Sequence, residues 1–284
     1  MPIGIVCSDA GAAEIISSYV LKYNLTCIFS LKEPALGIFQ KKLGYKIKDI
    51  DRESFLLNSS WFLLGTSSNN YEYEIIVKAK NLGKKSVSYI DHWTGYNRRF
   101  LFGNILQYPD EIWVTDIHSY KNAMREIYNV KIRIERDRSL PERCINNTID
   151  RRHVKVLYLG EPIAYSGVFL HGNKMHWGHD EIDAMNYFFK NIPESIQGIN
   201  RVVIRPHPKD NKKKYNNILT EYAFHTTISE REDLIEDINM TDIVVGCATK
   251  AMVVALSMGK EVYSSLPPWS QYPKLPHDGI IYLK

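Results

Sequence analysis

The chain has 284 residues, of which 44% are hydrophobic, and its formal net charge is +4 at pH 7. This length and apolar content predict two medium-sized domains, each with a proper core. Lys and Arg are scattered except for the triplet at 212–214, a run typical of a solvated helix face, so we expect no nucleic-acid partner.

The sequence shows no pattern typical of a targeting signal or a membrane-spanning segment. No signal-peptide pattern opens the chain, and no uninterrupted apolar run approaches roughly 18 residues. The four cysteines show no CxxC spacing, which fits a reducing compartment. We therefore expect a cytoplasmic protein, with peripheral association at the inner face of the membrane and homo-oligomerisation left open.

Short β-rich runs alternate with amphipathic segments along the first half, a pattern typical of parallel sheets covered by helices. Helices are predicted at 12–22 and at 71–82, the second ended by Gly83 as a C-cap. A polar stretch at 135–153 breaks the rhythm and is interpreted as a linker. Strands are predicted at 3–7, 25–29, 61–65, 86–90, 111–114 and 130–134.

The alternation then restarts, which predicts an α/β protein of two Rossmann-like domains facing across a cleft, a GT-B-like architecture. Residues 1–150 would form the acceptor-side domain and residues 151–284 the nucleotide-sugar-binding domain. A tail at 266–276, rich in proline and aromatic residues, is expected to pack back without forming a helix. The second set of strands is predicted at 154–159, 201–205, 224–228, 242–245 and 261–264.

Two polar turns, each directly after an apolar run, carry most of the functional signal. In one, a helix begins at a hydroxyl, Thr249, and a cation, Lys250, where backbone N–H groups can hold a phosphate. The other brings the His207 ring, which could donate a hydrogen bond to the same phosphate. Taken singly, Thr249 also fits an ordinary N-cap and His207 a turn residue packed between prolines. The predicted nucleotide- or phosphate-binding residues are Arg205, His207, Pro208, Gly246, Thr249 and Lys250.

Three segments resemble the nucleotide-binding half of GT-B glycosyltransferases: Val-Leu-Tyr-Leu-Gly-Glu-Pro at 156–162, Arg-Pro-His-Pro at 205–208, and the run 244–262. The resemblance is to bacterial sialyltransferases and to capsule or lipooligosaccharide transferases that use CMP-activated acidic sugars. Segments 91–100 and 109–113 also resemble proteins of bacterial surface-polysaccharide clusters. In that family an HP motif and a Ser/Thr pair bind the donor phosphate. Here the pair is Ala248-Thr249, with one hydroxyl.

This resemblance implies transfer of a sugar, of the sialic acid or Kdo type, from a nucleotide donor to a bacterial surface glycan or a lipid-linked glycan. Such a transfer needs a base for the acceptor hydroxyl. Asp9 ends the first strand and is the predicted base, and Asp91 with His92 is a second catalytic candidate pair. On the alternative interpretation, Asp91 caps the segment after it and the tryptophan two residues on packs on the domain surface. The predicted acceptor or sugar contacts are Gly11, Glu14, Trp93 and Trp177.

No metal and no cofactor are expected, because cationic groups and a helix N-terminus can stabilise the leaving phosphate. His171, His176 and His179 have a spacing that fits no strong zinc signature, and their segment is interpreted as a loop over the cleft. Gly-x-Gly-x-x-Gly is absent, which argues against a dinucleotide redox cofactor. Two alternative functions remain: a nucleotide-sugar hydrolase or 2-epimerase on the same fold, and a non-catalytic sugar-nucleotide-binding subunit of polysaccharide assembly.

Overall fold

The computed structural model describes residues 1–67, 69–141, 149–196, 198–207, 210–222 and 225–283. The chain divides into two compact units, Met1–Leu140 and Pro141–Lys284. The point of division lies inside the polar stretch 135–153 that the sequence marks as a linker. The predicted limits at 150 and 151, and the roles given to the two domains, stay predictions.

The first unit is built on a parallel sheet of six strands in the order β2-β1-β3-β4-β7-β8. Both faces of this sheet are buried, Val6 and Leu64 on one side and Ile5 and Leu63 on the other. That is why its strands are nearly continuous apolar runs in the sequence. The strands are β1 (Ile3–Cys7), β2 (Cys27–Leu31), β3 (Phe62–Leu64), β4 (Ser86–Ile90), β5 (Leu101–Phe102), β6 (Ile105–Leu106), β7 (Glu111–Val114) and β8 (Lys131–Ile134), of which β5 and β6 form a separate antiparallel hairpin.

Helices cover this sheet, and their starts follow ordinary capping chemistry. Asp9 and Asp116 each accept a hydrogen bond from a backbone N–H of the first helical turn. The predicted helix at 71–82 is observed one residue shorter, and Gly83 follows it with φ of +63°, as expected of a residue that ends a helix. The helices are α1 (Ala10–Tyr23), α2 (Ala35–Leu43), α3 (Arg52–Asn58), α4 (Tyr71–Asn81) and α5 (Ile117–Glu126).

The second unit contains a parallel sheet in the order β11-β10-β9-β12-β13-β14. β9 comes first in the chain and pairs with β10 on one side and β12 on the other, so the strand order reverses between β9 and β12. Ligands of open α/β sheets bind at the carboxyl ends of the strands at such a reversal. The strands are β9 (Val154–Leu159), β10 (Ile199–Arg205), β11 (His225–Ile228), β12 (Ile243–Gly246), β13 (Glu261–Ser264) and β14 (Ile280–Tyr282).

The tail beyond β13 packs against its own unit. The Gln271 N–H donates to the Trp177 carbonyl at 3.0 Å, and Ser270 Oγ lies 2.7 Å from His179 Nε2. Within the described ranges, no helix is long and apolar enough to cross a membrane. The helices of this unit are α6 (Ile163–His171), α7 (Glu181–Lys190), α8 (Ile218–Glu221), α9 (Leu234–Asn239) and α10 (Lys250–Ser257).

Candidate functional site

The reversal point of the second sheet is occupied by a carboxylate that the sequence reasoning did not select. Glu161 follows β9 by two residues, and its Oε2 accepts a hydrogen bond from the Ala248 N–H at 2.9 Å. Its Oε1 accepts from the Tyr272 hydroxyl at 3.0 Å. The intervening Gly160 is required by close packing, since a Cβ there would lie 2.6 Å from the Tyr215 hydroxyl oxygen. Glu161 therefore joins the ends of β9 and β12 to the tail.

The environment of Glu161 gives it an unusual acidity. Burial raises the pKa of its carboxyl to about 7, and the negative charges of Asp210 and Glu181 act in the same direction. The hydrogen bonds from Ala248 and Tyr272 oppose this shift because they favour the ionised form. A carboxyl that titrates near neutrality can serve as a general acid or base.

The predicted helix N-terminus exists at the end of β12. Thr249 is the N-cap of α10 and accepts a hydrogen bond from the Ala251 N–H at 3.4 Å. Gly246 is the last, buried residue of β12, and Lys250 is the first residue of α10 and half-buried. The turn thus has the geometry that the sequence predicts, and a nucleotide phosphate on it stays a prediction.

The Arg205 side chain makes several contacts with the segment that precedes α9. Its guanidinium donates to the buried Asp237 carboxylate at 2.6 Å and to the carbonyls of Arg231 at 3.0 Å and Glu232 at 2.7 Å. These donors hold the loop that leads into α9. A phosphate contact of the Arg205 guanidinium stays a prediction.

The neighbouring His207 is half-buried, and its backbone N–H donates to Asp210 Oδ2 at 3.3 Å. This bond ties the turn after β10 to the carboxylate that also accepts from the Tyr215 hydroxyl at 2.8 Å. Pro208 lies outside the described residues. A phosphate contact of the His207 ring stays a prediction.

The sequence reasoning selected none of the three charged side chains that lie together beside this turn as a site residue. Lys214 forms ion pairs with Glu181 and, at 2.7 Å, with Asp210. Glu181 in turn accepts from the Ala164 N–H at the start of α6 at 2.9 Å. Lys214 is only 22% exposed in its side chain, so this member of the basic triplet does not lie on a solvated face as expected. The group holds the ends of β9 and β10 together through side chains.

In the first unit, the structure brings Asp9 and Asp91 together at the carboxyl ends of β1 and β4. Asp9 is the N-cap of α1 and accepts from the Gly11 N–H at 2.9 Å. A Cβ on Gly11 would lie 2.0 Å from Asp91 Oδ2, so a larger residue there would displace the Asp91 carboxylate. Burial, and next the charge of Asp91, raise the pKa of Asp9. Such a pair can hold and release a proton.

A cation that the sequence reasoning missed accompanies this pair. Arg99 Nη1 lies 3.8 Å from Asp91 Oδ1 and donates to Thr66 Oγ1 at 3.0 Å. Its positive charge opposes the upward pKa shift of Asp9. Arg99 comes from the turn before the β5–β6 hairpin, whereas Thr66 follows β3. Neither position shows a pattern that would mark it in the sequence.

The other predicted residues of this unit are placed separately. Trp93 is 3% exposed and its indole N–H donates to Asp116 Oδ2 at 2.7 Å, which makes it a packing residue. His92 packs beside that ring, with 5.7 Å between ring centroids. Glu14 lies on the surface in an ion pair with Lys42. Contacts of Glu14 and Trp93 with an acceptor or a sugar, and a catalytic role of His92, stay predictions.

The histidine-rich segment of the second unit is an aromatic cluster. The rings of His171 and His176 stack with centroids 3.6 Å apart, and Trp177 meets both edge-on. Trp177 also contacts Tyr272, with 5.2 Å between ring centroids. Tyr272 in turn donates to Glu161, so this tyrosine connects Trp177 with Glu161. His179 lies elsewhere, against Ser270. Stacking of Trp177 on a sugar stays a prediction.

Potential metal ligands are dispersed over the molecule. No group of three or more His, Cys, Asp or Glu side chains in the described part of the chain could hold a metal ion. One Asp-x-Asp pattern, Asp49 and Asp51, occurs before α3, where both residues are exposed. Asp51 is the N-cap of that helix and accepts from the Ser54 N–H at 2.9 Å. Metal independence of the reaction stays a prediction.

No protein-family model matches the chain, and no curated protein matches it significantly. Solved structures do. The putative UDP-N-acetylglucosamine 2-epimerase from Listeria monocytogenes is similar with a TM-score of 0.59 at 12% identity, over 94% of this chain and 80% of that one. For the UDP-GlcNAc 2-epimerase from Methanocaldococcus jannaschii the TM-score is 0.56 at 12% identity, over 93% and 83%. For the glycosyltransferase SnogD from Streptomyces nogalater it is 0.54 at 9% identity, over 100% and 87%.

Identities this low show a shared fold. The similarity spans nearly the whole chain, and it includes both units and both parallel sheets. The predicted class, an α/β protein of two Rossmann-like domains of the GT-B type, is confirmed. Activity and substrates are separate questions, because one fold hosts many chemistries.

Proposed function

We propose that the protein is a glycosyltransferase that moves a sugar from a nucleotide donor, of the CMP-linked acidic type, to a bacterial surface glycan without a metal ion. One observation carries the proposal: where the strand order of the second sheet reverses, β12 opens into a capped helix N-terminus at Thr249. This is a place where such sheets bind phosphorylated ligands. The fold shared with SnogD agrees with it.

In the proposed reaction the Asp9–Asp91 pair takes the proton from the acceptor hydroxyl. The acceptor oxygen then forms a bond to the anomeric carbon of the sugar, and the bond from that carbon to the phosphate oxygen breaks. CMP leaves with the electron pair, and its negative charge is stabilised by the backbone N–H groups at the start of α10, by Lys250 and by His207. Asp9 suits the role of base because its raised pKa makes it a better proton acceptor than an ordinary carboxylate.

The test is incubation with a panel of CMP-, UDP- and GDP-linked sugars, with and without acceptor glycans, while the release of free nucleotide is followed. A transferase releases nucleotide faster when its acceptor is present, and a labelled sugar moves to the glycan. Release that does not depend on any acceptor indicates a hydrolase. Binding without release indicates a subunit that only carries the nucleotide sugar. Acceptor glycans linked to lipid in vesicles extend the panel to the membrane surface.

A 2-epimerase is the second candidate function. The observation that favours it is Glu161, a carboxyl whose pKa lies near 7 directly beside the proposed donor turn, where it could move a proton on the sugar itself. Two of the structures with this fold are described as UDP-GlcNAc 2-epimerases. Incubation with UDP-GlcNAc alone in deuterated water tests it, because epimerisation at C2 exchanges that proton for deuterium and a transferase leaves it in place.

A further inference from the structure

The turn proposed to hold the donor phosphate already contains an anion of the protein. The Ala248 N–H, one of the backbone donors between the end of β12 and the N-cap Thr249, is bound by Glu161 Oε2 at 2.9 Å. The second carboxylate oxygen of Glu161 is held by Tyr272. A carboxylate accepting from a backbone N–H at such a turn imitates the bond that a phosphate oxygen would make.

We propose that Glu161 is a displaceable internal anion that competes with the donor phosphate for the β12–α10 turn, so that donor binding requires Glu161 to take up a proton or to leave the turn. This inference rests on the proposed function, because it presumes that a nucleotide phosphate binds there. It makes Glu161 a residue that sets the affinity for the donor and couples it to pH.

The charges around Glu161 support this competition. Asp210 and Glu181 face it from the β10 turn and from α7, and both form ion pairs with Lys214. The negative charges of Asp210 and Glu181 disfavour an ionised Glu161, and an ionised Glu161 and a phosphate at the same turn would repel each other. Other titratable groups on the adjoining segments include His207 on the β10 turn, Tyr215 beside Asp210, Asp180 and Asp183 at the start of α7, Lys250 at the start of α10, Cys247 in the turn and Tyr272 in the tail.

Protonation of Glu161 removes the charge repulsion between its carboxyl and the phosphate. A neutral Glu161 carries an O–H that can donate to a phosphate oxygen, and the Ala248 N–H becomes available. Because the pKa of Glu161 is about 7, this proton is gained at little cost near neutrality. The carboxyl is neutral below its pKa and ionised above it, so anion affinity should fall as pH rises through 7. The apparent affinity is proportional to the fraction of the protein in which Glu161 is neutral. This predicts about a tenfold loss of affinity between pH 6 and pH 8.

The experiment is calorimetric titration with the methyl ester of CMP and with UDP-GlcNAc at pH 6, 7 and 8. Both probes carry phosphate diesters, whose charge is constant over this range, whereas free CMP would itself titrate near pH 6. For the unmodified protein we expect the tenfold loss. For Glu161→Gln we expect less than about a threefold change, and tighter binding than the unmodified protein at pH 8. Glu221→Gln, at an exposed position of α8, is the matched control and should behave as the unmodified protein.

His207 can also titrate in this range, so a second readout isolates Glu161. The number of protons taken up when a probe binds is obtained at pH 7.5 from binding enthalpies in buffers of different ionisation enthalpy. On binding, the unmodified protein should take up most of one proton more than Glu161→Gln does. The same difference should persist in a His207→Gln background. Tyr272→Phe tests the competition without touching the carboxyl: loss of a hydrogen bond that favours the ionised form raises the pKa of Glu161, so the midpoint of the affinity loss should move to higher pH.

Four results would overturn the inference. If Glu161→Gln shows the same pH dependence and proton uptake as the unmodified protein, Glu161 does not compete, although nucleotide binding stands. If Glu161→Gln binds more weakly at every pH while remaining folded, Glu161 is a ligand of the donor. If no variant binds any probe at any pH, the proposed nucleotide site itself is wrong, and the competition fails with it. A midpoint unchanged in Tyr272→Phe would also contradict it.

Discussion

Asp9 shows what a single residue gains from its neighbours in the fold. Its sequence position, between an apolar strand and Gly11, indicates a helix cap at a strand end and no more. The structure adds Asp91 beyond the missing Cβ of Gly11, and the charge of Asp91 together with burial raises the pKa of Asp9. The two carboxylates are 82 positions apart in the sequence, so no local pattern could reveal that they act on each other.

Substitution of the base should separate catalysis from binding. We expect Asp9→Asn to lower kcat by about a hundredfold or more, the upper part of what general-base catalysis supplies, with little change in nucleotide affinity. Asp91→Asn should mainly change the KM for the acceptor or the stability. Because the base must be ionised, kcat/KM should fall as pH drops through the raised pKa of Asp9. Asp278→Asn, at an exposed position, is the control. Near-normal turnover in Asp9→Asn with none in Asp91→Asn would reverse the two roles.

The affinity for nucleotide should depend on His207. Loss of one charge-assisted hydrogen bond to phosphate costs about 1.5–3 kcal/mol, so His207→Ala should weaken CMP or UDP binding about tenfold or more. Thr249→Ala should weaken it as well, with a small loss of stability from the missing cap. His225→Ala, an exposed histidine of the same unit, should bind normally. Calorimetry with unchanged affinity for every nucleotide in His207→Ala would remove this part of the proposal.

At the scale of elements, the sequence predicts best the strands that are buried on both faces of a sheet. Five strands begin and end at the predicted residues: β1, β4, β7, β9 and β13. A parallel strand inside a sheet is largely apolar and is bounded by polar or turn residues, which marks both of its ends in the sequence. The elements it misses lack that signal. The β5–β6 hairpin is two residues per strand and exposed, and β14 follows a proline-rich tail. The helices α2 and α3 have only nine and seven residues, too few turns for a clear amphipathic period.

The loop before α9 depends on a buried ion pair, and this can be tested by stability. Asp237 is 1% exposed and is held by Arg205 at 2.6 Å and Arg231 at 3.3 Å. Arg205→Ala leaves Asp237 with the more exposed of these two arginines and with the Ser229 hydroxyl. Breaking a buried pair by removing one member typically costs about 3–5 kcal/mol. We expect a loss toward the lower end of that range, measured by urea unfolding. Arg201→Ala, an exposed arginine on the same strand, is the control.

A loss below about 1 kcal/mol in Arg205→Ala would contradict the structural role. Such a result, combined with weakened nucleotide binding, would return the Arg205 guanidinium to the phosphate site that the sequence indicates. A stable fold with normal nucleotide binding would leave Arg205 without either role.

At the scale of the whole molecule, the alternation of strands and helices is local and could be predicted, whereas the site is assembled from distant segments. The turn at Thr249 could be found because a strand end and a helix cap are adjacent in the chain. Glu161 could not, although it lies in a motif that resembles the GT-B family, because its chemistry depends on Ala248 and Tyr272 from other segments. Lys214 was similarly hidden within a basic triplet that suggested only a solvated face.

Metal dependence is a property of the whole reaction. In the structure the Arg205 guanidinium donates to Asp237, so in the proposed mechanism the leaving phosphate is stabilised by His207, Lys250 and the start of α10. We still expect activity to survive EDTA, because a helix N-terminus and cationic groups can stabilise a phosphate that a divalent ion would otherwise neutralise.

Turnover is measured with EDTA and, as a control for effects other than chelation, with EDTA presaturated with magnesium. Both should give the rate found without chelator. Complete loss with EDTA alone, restored by magnesium or manganese, would contradict the mechanism. The exposed Asp49 and Asp51 would then be the first metal candidates. In that case Asp49→Asn should lower the affinity for the restoring metal, because Asp49 has no part in capping α3, whereas Asp51→Asn would lose metal binding and a helix cap together.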